Sequence, residues 1–113
     1  MKENTKIRLT KDGKEYILEY DRTTVRVLEN QGFSIDKVTE KPMIMIPLLF
    51  KCAFLKNHKY VRQQEIDEIF DGIKNKNEIL DPLITMVNEC YESLLGEENS
   101  EDNAEGNVSW ERV

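Results

Sequence analysis

The stretch PMIMIPLLFKCAFL, Pro42 to Leu55, carries a single charge, Lys51, in a chain of which 34% is charged. A segment this apolar must be covered by something, because water-exposed hydrocarbon is costly. A bilayer is the wrong cover, since a spanning helix needs about 20 mostly apolar residues. The run is therefore read as a central helix touched on several sides, with an edge open for a partner. Pro42 suits the first helical turn. Pro47 does not suit an interior, where it deletes one backbone donor and crowds the carbonyl four residues earlier. The expected start is between Met43 and Ile46, with Pro47 still near the first turn, and the expected helix covers 44–57.

The rest of the chain must supply the other sides of that core. KIRLT and KEYILEY flank Asp12-Gly13, a pair that favours a tight primed turn because both central residues need positive φ. Ile7 and Leu9 alternate with polar residues, as do Tyr16, Leu18 and Tyr20, so one face of a hairpin over 6–20 is apolar. A lone hairpin is marginal in water, and helices must cover it. Asp21 is a candidate N-cap for a helix over about 22–31, stopped by Gly32. FSIDKVTEKP is read as an extended connection or a short turn. Ile66, Ile69, Phe70 and Ile73 define one helical face over about 62–74. Leu80, Leu83, Ile84, Val87, Tyr91, Leu94 and Leu95 repeat such a face over about 78–95, with Asp81-Pro82 in the first turn and Gly96 as the stop. The expected architecture is α+β: residues 1–95 form one domain, an N-terminal β-hairpin packed on a mostly helical body of about four helices.

The net charge of −6 is uneven. Up to residue 95 there are fifteen Lys/Arg against sixteen Asp/Glu; beyond it, Arg112 faces six acids. The segment 96–113 thus reads as an acidic, disordered tail, too polar over 97–107 to offset its chain entropy. Val108 and Trp110 stand near its end. An aromatic there either folds back, hangs free or serves as a docking element.

Little in the sequence points to chemistry. His58 is the only histidine, beside Lys56 and Lys59, and is read as a surface or capping residue; a zinc site needs more ligands. Cys52 and Cys90 fall in apolar-periodic stretches and are read as buried thiols. DEIFDGIKNKNE lacks the alternating oxygen ligands of a calcium loop. Asp67 and Asp71 are neighbours on a solvated helix face, not an acid–base pair. No catalytic residue, cofactor or metal site is expected, and the chain is not read as an enzyme. A small cytosolic regulator binding DNA or a transcription factor is the alternative reading. Glu78, Asp81, Glu89 and Glu92 on the last helix oppose its DNA form, because carboxylates repel phosphates.

The order of features carries a resemblance. The segments EYILEYDRTTVRVLENQGF (Glu15–Phe33) and KPMIMIPLLFKCAFLKNH (Lys41–His58), followed by the helix pair to Leu95, resemble the small tail assembly chaperones of siphophages and prophages of low-GC Gram-positive hosts, over roughly residues 6–95. The resemblance implies a non-enzymatic protein of the host bacterial cytoplasm. Such proteins hold the tape measure protein, bring tail tube protein to it, and leave before the virion is finished. No nucleic acid or membrane partner is implied, and a homo-oligomer is compatible with it. The residues expected to meet a partner are Met43, Met45, Phe50 and Phe54, whose side chains adapt to irregular surfaces, together with Trp110.

Overall fold

Asp12 and Gly13 both adopt positive φ, 53° and 82°, and fold the first residues into the expected hairpin. The computed structural model describes residues 4–96 and 108–112. Strands β1 (Ile7–Lys11) and β2 (Lys14–Leu18) are followed by α1 (Arg22–Asn30), α2 (Lys37–Glu40), α3 (Pro42–Cys52), α4 (Gln63–Gly72) and α5 (Lys76–Leu95). The antiparallel register sets Leu9 opposite Tyr16 and Ile7 opposite Leu18, so these four side chains share one face. Tyr16, Leu18 and Tyr20 are buried there. The protein is an α+β domain with its hairpin packed on a mostly helical body.

The helical body closes over α3, which meets α1, α2, α4 and α5. Asp21 caps α1 through a reciprocal box: its carboxylate accepts from the Thr24 N–H at 2.8 Å, and its own N–H donates to Thr24 Oγ1 at 2.8 Å. FSIDKVTEKP contains the single turn α2, which buries Val38. Among the described residues no helix is long and apolar enough to cross a membrane.

Helix α3 differs from expectation at both ends. It starts at Pro42, so Pro47 falls in its second turn, inside the helix. It ends at Cys52, five residues short of the expected 57. The cause of the early stop is tertiary. The Ala53 carbonyl accepts the Glu19 N–H at 3.2 Å, and the chain then runs along the outer edge of the hairpin. There His58 Nε2 accepts the Ile17 N–H at 2.9 Å, and Asn57 Nδ2 donates to the Ile17 carbonyl at 3.1 Å and to Glu19 Oε1 at 2.8 Å. This latch satisfies backbone groups that a free strand edge would leave open. Helix α5 starts two residues before the expected 78, which places Pro82 within it as well. The expectation of disorder over 97–107 lies outside the described residues.

The latch carries charge. Burial pushes the Glu19 carboxyl up, but hydrogen bonds from Asn57 and Lys56, and the Lys56 charge, outweigh burial and hold it below its ordinary value. Burial likewise pushes Asp21 up, and the bonds from Thr24 with the Lys56 charge more than reverse it. A carboxylate with a lowered folded pKa stabilises the fold above its unfolded pKa of about 4 and loses that contribution as pH falls through the folded value. The urea midpoint is therefore expected to hold steady from pH 7 to about 5 and to fall below about pH 4. Glu19→Gln with Asp21→Asn should lower the midpoint at pH 7 and flatten that acid limb; an unchanged limb would show that these two groups do not drive it.

Candidate functional site

The first turn of α3 is only partly covered. Met43 is 88% exposed and Ile44 60%, while Met45 is 4% exposed. On a helix these three neighbours point about 100° apart, so the same turn supplies both core and surface. Beside it lies a concavity of about 420 Å3. One wall is Pro42, Met43, Ile46 and Pro47 of α3. Phe70 from the end of α4 and Asn77 and Leu80 from the start of α5 form the other.

Within the second wall, one lysine ties the start of α5 to the end of α4. Lys76 Nζ donates to the carbonyls of Asp71 at 3.1 Å and Ile73 at 2.9 Å and lies 5.7 Å from the Phe70 ring centroid. Those bonds satisfy acceptors at and just past the end of α4, where a cation is favourable. The ammonium is thereby held at the rim and the floor stays apolar. Phe70 is in turn packed against buried Phe50, with centroids 5.0 Å apart. The result is a preformed greasy trough of the kind that takes the apolar face of an amphipathic helix.

Of the five residues expected to meet a partner, the structure places only Met43 in this groove. Met45, Phe50 and Phe54 are core residues, Phe50 and Phe54 each 1% exposed; this corrects the expectation for all three. Met45 and Phe50 lie on the covered side of α3, and Phe54, just past its end, is closed in by Phe50, Tyr16 and His58. Trp110 is 85% exposed, outside the groove. Pro42, Ile46, Pro47, Phe70 and Leu80 were not singled out from the sequence. The signal for the first three was the unbroken apolar run itself. Phe70 and Leu80 read as ordinary members of periodic core faces.

The chemically reactive side chains are tied up elsewhere. His58, expected to be a surface or capping residue, is half-buried and caps the strand edge, its ring edge-on to Tyr16 at 5.4 Å while Nε2 receives the Ile17 N–H. Tyr16 donates its hydroxyl to Glu65. Burial pushes the Cys52 thiol up and, with Asp21 and Glu89 nearby, the Cys90 thiol up to about 11, which makes both poor nucleophiles near neutrality. Among the described residues no group of three or more His, Cys, Asp or Glu side chains could hold a metal ion. Near the hairpin turn, Lys11, Lys14 and Arg62 line a polar hollow with Asp12, Glu65 and Glu68, so its charges offset one another and offer no phosphate-binding surface.

No curated protein and no solved structure matches the chain. The family described as Domain of unknown function (DUF5055) matches residues 1–110, nearly the entire length, and the chain belongs to that family.

Proposed function

We propose that this protein is a tail assembly chaperone of a siphophage or prophage, acting in the bacterial cytoplasm and absent from the finished virion. Its partners are the tape measure protein, whose amphipathic helices it shields, and the tail tube protein brought to them. It works by binding and catalyses no reaction. The observation that supports this reading is the α3–α5 groove, an apolar trough flanked by exposed Met43 and Ile44. A monomer gains nothing by leaving such side chains wet, whereas a helix-holding protein needs them there. The resemblance of residues 6–95 to these chaperones supplies the identity of the client.

Co-expression with a helical fragment of a tape measure protein tests the proposal. The fragment should remain soluble and copurify with this chain. Equal aggregation with and without it would remove the proposed activity.

A further inference from the structure

A second concavity, chemically unlike the first, borders the end of α5. It has a volume of about 370 Å3 between α1 and α5, with Val25, Tyr91 and Leu94 among its apolar lining and Arg22 and Arg26 among its charged lining. The two arginines are exposed and one turn apart on α1. Among the described residues neither has a carboxylate partner. Glu29, the acid in the lining, already accepts the Tyr91 hydroxyl at 3.0 Å. Leu94 and Leu95 are exposed beside it. Two guanidinium groups beside Val25, Tyr91 and Leu94 suit an occupant that is both aromatic and acidic.

The chain carries such an occupant. Val108 and Trp110 are exposed, Glu111 follows, and the eleven residues joining them to Gly96 include Glu97, Glu98, Glu101, Asp102 and Glu105. The connection leaves the domain at Gly96, two residues after Leu94, so the tether starts at the groove itself. A short tether raises the effective concentration of its end to the millimolar range, so a weak contact is enough to be populated. The α3–α5 groove is the poorer seat. It lies at the other end of α5, and its cation, Lys76, is committed to the α4 carbonyls.

We infer that the acidic C-terminal segment folds back and seats Trp110 in the α1–α5 groove, with Arg22 and Arg26 holding its carboxylates. The exposed position of Trp110 in the structure is then the open arrangement. The inference does not depend on which partner the other groove binds.

Trp110 is the only tryptophan, so the full chain reports on itself. In dilute native protein its emission should be blue-shifted from that of the urea-unfolded chain, and acrylamide quenching several-fold weaker. Arg22→Glu with Arg26→Glu should return both readings to the unfolded values while far-UV circular dichroism stays native. Leu94→Ser should do the same from the α5 side, and Met43→Glu should change neither. Unfolded-like emission from the native full chain would overturn the inference. So would a shift abolished by Met43→Glu but not by the arginine pair, which would put Trp110 in the α3–α5 groove. A shift that grows with protein concentration would overturn it too, by making the seat that of a second copy.

Discussion

Phe54→Ala is expected to cost about 3–5 kcal/mol of folding stability, the range for truncating a large buried aromatic. Total stabilities of small domains are about 5–15 kcal/mol, so the variant should lose a large share of its stability and melt well below the parent. The size of the effect follows from where the ring sits. Phe54 lies in the connection after α3, beyond the helix, at 5.3 Å from Phe50, 5.8 Å from Tyr16 and 6.4 Å from His58 between ring centroids. It is the piece that joins the hairpin's buried face to the helical core. Removing it leaves a cavity between the hairpin and the helical core, and it loosens His58, whose ring nitrogen receives the Ile17 N–H. Urea unfolding should show a lower midpoint with the slope kept, because the transition remains cooperative. A loss below about 1 kcal/mol would mean that the ring is not closed in as described.

The same residue shows what could and could not be read before the structure. The hairpin was legible because two independent local signals agree, the Asp12-Gly13 turn and the alternation around it. Helices α4 and α5 were legible because polar positions interrupt their apolar ones and so mark an outside. In Pro42–Leu55 almost nothing is polar, and the sequence offers no mark of which side is covered. That is why Met43 and Met45 looked equivalent although one is surface and the other core, and why Phe50 and Phe54 looked available. The end of α3 was hidden for a different reason: a backbone bond from Glu19, remote in sequence, captures the Ala53 carbonyl, and no local pattern encodes a partner so distant. The α3–α5 groove is built by three helices at once, so its far wall of Phe70 and Leu80 appeared as ordinary core periodicity.

If that groove is where a partner helix lies, Met43→Glu should abolish capture without harming the fold. Met43 is 88% exposed, so its substitution should change stability by less than about 0.5 kcal/mol. In a complex the same position becomes the dry wall of the trough. A carboxylate there must be desolvated, and Lys76, the cation in the lining, is already bound to the Asp71 and Ile73 carbonyls. Loss of an anchoring side chain at such a site typically costs about 2 kcal/mol or more, and about 1.4 kcal/mol is already tenfold in affinity. Pull-down of a tape measure fragment should therefore fall more than about tenfold. Tyr60→Ser is the matched control: Tyr60 is as exposed as Met43 but lies outside the groove, and its loss should leave capture intact. The pair separates a seated helix from general stickiness. Equal loss in both variants would mean that any exposed apolar side chain serves, and no loss in either would place the client elsewhere on the molecule.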